Sequence, residues 1–262
     1  MDANSLIGKG TAALGKGDAA KAVDFFRKAK ATSGYSAEVE MLLAEALEAS
    51  GQIETAVDVL RVVTEKSPEE VDARYSLGDL LFEMNLFEQA RSTYVQINKS
   101  FPDEADALVS AGLVDFHQGR VEAAVECYEK ALAISPDSTF ALNSLGDARF
   151  SAGDITGALE IFRSVIDLDP DDPQAHYNLA EMFYDNDEID EAEQACLEAL
   201  KCDPDFAYAH LTLGNLYLDM DDGRKALHHF QEFLLRENSP AAEDIRAEVA
   251  AVVDGLKSEL DS

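Results

Sequence analysis

TFALNSLGDARFSAGDITGALEIFRSVIDLDP, residues 139 to 170, reads as two helices joined by a turn. Leu142, Leu145, Gly146 and Phe150 recur at steps of three and four, the spacing of one apolar face on a first helix. Gly153-Asp154 punctuates, since glycine relieves a tight turn and aspartate suits the start of the next helix. Ala158, Leu159, Phe162 and Val165 then make the apolar face of a second helix. Pro170 closes it, lacking an N–H and restricting its predecessor. Small Gly146 and Ala158 allow the paired helices to approach closely, with Phe162 filling the gap beside them.

The same reading works outward in both directions. Ala22, Ala56, Ala90, Ala124, Ala158, Ala192 and Ala226 each stand 34 residues after the last. Four residues after each comes Phe26, Leu60, Tyr94, Tyr128, Phe162, Cys196 or Phe230. Twelve before each sits a small residue: Gly10, Ala44, Gly78, Gly112, Gly146, Ala180 or Gly214. Pro68, Pro102, Pro136, Pro170 and Pro204 recur in the same register. Self-similarity at such a period is the mark of a repeat array. The units run 3–36, 37–70, 71–104, 105–138, 139–172, 173–206 and 207–240.

The pattern L-G-x2-aromatic, A-x3-aromatic, then proline, as in LGNLY (213–217) and ALEIF (158–162), with the aromatic one place later in LGDLLF (77–82), resembles the tetratricopeptide repeat family over residues 3 to 240. Departures are mild. Arg74, Leu108, Leu142, His176 and His210 stand where the family places tryptophan. Lys9, Gly34 and Asn238 break the pattern in the terminal repeats, where one face meets water. The resemblance implies an all-α fold, a right-handed α-solenoid of antiparallel helix pairs. Residues 241–262 place Ile245, Val249, Val252, Val253, Leu256 and Leu260 on one stripe, as expected of a C-terminal capping helix with a short tail.

Composition narrows the function. The chain has 262 residues, 47% of them hydrophobic, so it can bury a core. It carries 52 acidic and 21 basic residues, a net charge of −31. That field repels nucleic acid and anionic membranes and attracts cationic partners. No apolar run is long enough to span a membrane and the N-terminus lacks a secretion-signal pattern. Cys127, Cys196 and Cys202 form no CxxC pair, which fits a reduced, cytoplasmic setting.

Several motifs invite chemistry and lose it in context. GTAALGKG (10–17) is close to the phosphate-binding pattern G-x-x-x-x-G-K-[ST], but Gly17 replaces the hydroxyl residue and the repeat register makes Gly10 a packing residue. Residues 185–196 and 219–230 resemble calcium loops, yet their ligands and glycines are misplaced, so they read as acidic turns. His176 and His210 occupy equivalent positions and could be neighbours, but two histidines make a poor metal site. His228 and His229 point different ways on one helix. Cys196 reads as a small hydrophobe in a core position. No catalytic constellation, cofactor site or metal site is expected.

Solenoids bind partners on a concave wall lined by the first helix of each unit. The expected groove residues are Asp72, Tyr75, Asp79, Phe82 and Glu83, then Asp106, Val109, Leu113, Phe116 and His117. Phe140, Asn143, Asp147 and Phe150 follow, then Gln174, Tyr177, Glu181, Tyr184 and Asp185, and last Tyr208, Leu211, Asn215, Leu218 and Asp219. Aromatics supply contact area and carboxylates accept bidentate bonds from arginine, so the expected occupant is a basic or basic-apolar protein segment. The lysine-rich clamp by which some family members hold carboxylate tails is absent. The leading expectation is thus a non-enzymatic adaptor or scaffold. The alternative is a self-assembling scaffold in which a terminal repeat or helix docks into a neighbouring groove. Two others are a nucleotide-dependent protein resting on GTAALGKG and an acidic surface adapted to high salt.

Overall fold

Alanine at every thirty-fourth position marks where two helices come closest, and all seven of these alanines are fully buried. A computed structural model describes residues 2–260. Its regular structure, among the described residues, is entirely helical. The first four pairs are α1 (Ala3–Leu14) with α2 (Ala19–Ser33), α3 (Ala37–Ala49) with α4 (Ile53–Lys66), α5 (Val71–Glu83) with α6 (Phe87–Ser100), and α7 (Ala105–His117) with α8 (Val121–Ile134). Three more follow: α9 (Thr139–Ser151) with α10 (Ile155–Leu168), α11 (Pro173–Asp185) with α12 (Ile189–Cys202), and α13 (Ala207–Asp219) with α14 (Gly223–Arg236). A 3-10 turn at Pro240–Ala242 leads into α15 (Glu243–Leu260). The chain divides into two compact units, 1–136 and 137–262, with the boundary one residue after Pro136 begins the fourth inter-repeat turn.

Each pair turns on one left-handed residue. Gly17, Gly51, Gly119 and Gly153 have positive φ between 73° and 82°, and Asn85, Asp187 and Asp221 hold the same register position at φ 59°, 61° and 56°. Glycine adopts this conformation without strain, and asparagine and aspartate tolerate it. Asp18, Asp154 and Asp222 then cap the second helices by accepting from the N–H groups of Lys21, Gly157 and Lys225. The acidic runs at 185–190 and 219–222 are therefore helix ends and caps. GKGD at 15–18 is the same turn: α1 ends before Gly15, and Lys16 is exposed.

The glycines of the packing position meet the aromatic of the second helix. A Cβ on Gly10 or Gly78 would lie 2.5 Å from the ring of Phe26 or Tyr94, and Gly112, Gly146 and Gly214 face Tyr128, Phe162 and Phe230 as closely. In the two repeats with alanine there, the partner is smaller: Ala44 with Leu60, and Ala180 with Cys196. Cys196 is fully buried, and burial pushes its thiol up to about 12, so it is an inert core side chain. All three cysteines are free.

In the second unit α15 lies against α14, burying Val249, Val253 and Leu256, with Ile245 packed beside them. The buried stripe is narrower than the sequence predicts. Val252 and Leu260 stay 38% and 42% exposed, because a helix lying on a single neighbour buries only the side facing it. Among the described residues no helix is long and apolar enough to cross a membrane.

Candidate functional site

The first helices of unit 1 bring carboxylates and aromatics together on one face. Asp72, Asp79, Glu83 and Asp106 are exposed there, while Tyr75, Phe82 and Phe116 are half-buried. The centre is a hollow of about 500 Å³ lined by Asp79, Phe82, Tyr94, Ser110, Leu113, Val114, Phe116 and His117. Its wall is mostly apolar, with Leu113 38% exposed. Phe82 meets Phe87 and His117 edge-on, with ring centroids 5.3 and 5.1 Å apart. Asp79 accepts a 2.5 Å hydrogen bond from the Tyr94 hydroxyl, which fixes the carboxylate at the rim. Burial and that carboxylate hold the Tyr94 phenol well above its ordinary range, so it remains a donor.

Glu45 and Glu48 on α3 extend the acidic rim and line a second hollow of about 250 Å³ with Met41, Leu42, Ala44, Leu60 and Ser76. Burial, then the charges of Glu83, Asp79 and Glu45, raise the Glu48 carboxyl above its ordinary 4.5. Three neighbouring carboxylates thus disfavour the charged form of Glu48, and a bound cation would relieve it. The groove expected from the sequence begins at the third repeat and does not include this pair. Glu45 is the register equivalent of Asp79 and Glu48 of Phe82, so extending the register by one repeat finds both. Tyr94, Ser110 and Val114 also fall outside the expected groove. Tyr94 belongs to a second helix, read only as core.

Unit 2 has its own first-helix face. Phe140 and Tyr208 are 48% and 39% exposed. Asp147 is exposed but recessed, and desolvation pushes its carboxyl up to about 6. Tyr184 donates to Asp219 at 2.7 Å, and burial with that carboxylate raises the phenol to about 12. Glu181 accepts from the Thr212 hydroxyl at 2.6 Å. Phe150 is half-buried against the core, Asn215 is half-buried, and Gln174 and Asp185 are exposed.

One register position of the expected groove behaves differently. Tyr75 donates to Glu104 at 3.2 Å, Asn143 to Asp172 at 3.1 Å, and Tyr177 packs on Phe206 with centroids 5.1 Å apart. Each partner lies in the segment entering the next repeat. Val109, at the same position, is fully buried, which corrects its expected place on an open wall. This position serves the seam between repeats. Leu211 and Leu218 pack against the unit 2 core in part.

The histidines do not pair as their spacing suggests. His176 bonds the Pro170 carbonyl at 3.0 Å, whereas His210 meets His229, Nδ1 to Nδ1, at 3.0 Å. Burial, followed by the adjoining His210 and His228 imidazoles, drives His229 down to about 4, and burial followed by the Arg236 guanidinium lowers His210, so both rings are neutral at neutral pH. His228 packs against His229 at 5.0 Å between centroids. Among the described residues no group of three His, Cys, Asp or Glu side chains is placed to hold a metal.

Comparison with known proteins agrees with this architecture. Two tetratricopeptide repeat models match, one over residues 75–139 and 143–205 and the other over 13–70. The structure is similar to a tetratricopeptide repeat protein from Parabacteroides merdae, with TM-score 0.78 at 16% identity, covering 96% of this chain and 98% of that one. It is also similar to MamA from Desulfovibrio magneticus (residues 41 to the end), with TM-score 0.55 at 21% identity, covering 64% and 95%. The Cut9–Hcn1 hetero-tetramer of APC/C gives TM-score 0.63 at 18% identity, covering 93% of this chain and 48% of that one. These identities speak to the fold alone. A search of the curated proteins found no match.

Proposed function

Because this chain belongs to the tetratricopeptide repeat family, whose members work as protein-interaction scaffolds, we propose that it is a non-enzymatic scaffold taking a cationic, apolar protein segment on its first-helix faces. The observation that carries this reading is the hollow of unit 1. An apolar wall of Phe82, Leu113, Val114 and Phe116 sits beside a rim of Asp79, Glu83, Glu45 and Glu48, four carboxylates with no lysine or arginine among the lining side chains. An arginine or lysine next to an aromatic or aliphatic side chain satisfies both halves: the side chain leaves water and the cation meets carboxylates. Unit 2 offers the same chemistry at Phe140, Asp147, Glu181, Tyr184, Tyr208 and Asp219.

The test uses a fluorescein-labelled peptide alternating lysine, arginine and phenylalanine, followed by anisotropy. Binding should weaken roughly tenfold or more between low and high salt, as screening removes the attraction. Phe116→Ala should weaken it at both salt levels, because it removes apolar wall. Glu48→Lys/Glu83→Lys should reduce the salt-sensitive part, leaving what unit 2 contributes. Equal binding by wild type and both variants would sink the proposal.

A further inference from the structure

The charge of this chain is unevenly spread. Residues 1–36 hold 6 basic and 3 acidic residues, whereas residues 37–262 hold 15 basic and 49 acidic. The first repeat is a cationic module on a strongly anionic protein. Lys9 on α1, Lys16 in the turn that follows, and Lys21, Arg27 and Lys28 on α2 are all exposed. Lys30 is engaged by the buried Glu40 of α3 at 2.7 Å.

This cationic surface also carries apolar area. Lys9, Lys16 and Lys21 surround a hollow of about 370 Å³ whose remaining wall is Ala12, Ala13, Phe25 and the capping residue Asp18. Phe25 is half-buried and has Lys21 one turn before it and Lys28 one turn after, with the Lys28 ammonium 5.9 Å from its ring. An aromatic side chain flanked by two lysines is the complement of an aromatic-lined hollow rimmed by Asp79, Glu45, Glu48 and Glu83.

The same chain cannot bring the two together. α2 packs on α3 in the repeat register, and the Lys30–Glu40 ion pair ties them. The cationic face is therefore fixed at one end of unit 1, two repeats from the hollow. We propose that the acidic hollow of unit 1 takes the first repeat of a second copy of this chain, with Phe25 and its flanking lysines as the anchor. This rests on the reading of the hollow given above and names its occupant. The two patches differ, so a pair of copies in such a contact keeps one free donor and one free acceptor between them, and assembly is open-ended.

Sedimentation analysis of the full chain tests this with two variants changed only at exposed positions. Lys9→Glu/Lys16→Glu/Lys28→Glu removes the donor face, and Glu45→Lys/Glu48→Lys/Glu83→Lys removes the acceptor. At low salt the wild-type mass should rise with concentration and return to the monomer at high salt. Each variant alone should stay monomeric. An equimolar mixture should give a dimer and nothing larger, because only one productive contact remains, and this also shows that both variants are folded. A wild type monomeric at every concentration, or either variant assembling like wild type, overturns the proposal. The labelled Lys/Arg/Phe peptide separates the two readings. If it binds the donor variant while wild type stays monomeric, self-docking falls and the hollow remains a site for a foreign cationic segment. If it fails to bind that variant, the reading of the hollow falls too.

Discussion

At the scale of the residue, the packing of each repeat turns on a pair sixteen positions apart. Glycine faces an aromatic ring in five repeats, while Ala44 faces Leu60 and Ala180 faces Cys196 in the others. One methyl on the first helix is traded for ring volume on the second. Cys196→Phe alone should therefore overpack against Ala180 and cost about 1–3 kcal/mol. Adding Ala180→Gly should recover roughly 1 kcal/mol or more of that loss, although glycine by itself weakens a helix. Denaturant melts of the two single variants and the double variant measure the coupling, and additive effects would refute it. The repeating alanines, glycines and aromatics were legible because both helices must touch at the same points in every copy. What stayed hidden is pairing between side chains. Nothing in the sequence says that Tyr94 fixes Asp79, or that His210 meets His229 rather than His176, because those contacts depend on where side chains of different helices converge.

At the scale of the element, one buried carboxylate gathers two arginines and ties three helices together in unit 1. Asp115 on α7 is fully buried, accepts two bonds from Arg91 Nε on α6 at 2.8 and 2.9 Å, and pairs with Arg120 before α8 at 2.7 Å. Arg120 reaches on to Glu88 at 2.8 Å. The register equivalents of Asp115 are Ala13, Leu47, Leu81, Arg149, Phe183 and Tyr217, so most repeats place an apolar or aromatic side chain at this point. A buried ion pair gains little over a well-packed apolar group, whereas stripping one partner leaves charges without compensation. Asp115→Ala should cost about 2–3 kcal/mol, since two partly exposed arginines lose their carboxylate. Asp115→Leu/Arg91→Met should cost far less, because it restores the apolar chemistry that most other repeats have at this position. Thermal melts rank the two, and equal losses would show that the charges themselves are needed. The helices on either side of this cluster were legible from their period. The cluster was not, since an aspartate at that position reads as solvated until the two arginines are seen to converge on it.

At the scale of the whole molecule, one desolvated carboxylate makes stability depend on pH in a readable direction. Desolvation raises the Asp147 carboxyl from its ordinary 3.8 to about 6, so the folded chain holds that proton more tightly than the unfolded chain. Stability from this group falls as pH rises from about 4 to 6 and stays low above that. Asp147→Asn should therefore stabilise the protein at neutral pH by about 1 kcal/mol, once solvent screening of an exposed side chain is allowed for, and by little at pH 4. Melting curves at the two pH values check this, and a gain confined to the acidic side would reverse the sign. The pairing of glycine with aromatic has a further consequence for how such an array can be rearranged. Both members of each pair lie inside one 34-residue unit, so duplicating, deleting or exchanging units at the turns that carry the prolines keeps every pair matched. A crossover between the two helices of a unit does not. Joining the first helix around Ala44 or Ala180 to a second helix bearing Phe162 or Tyr128 sets a methyl against a ring, while the reciprocal product leaves glycine facing leucine or cysteine across a void. Recombination within this chain is thus confined by packing to the junctions between repeats.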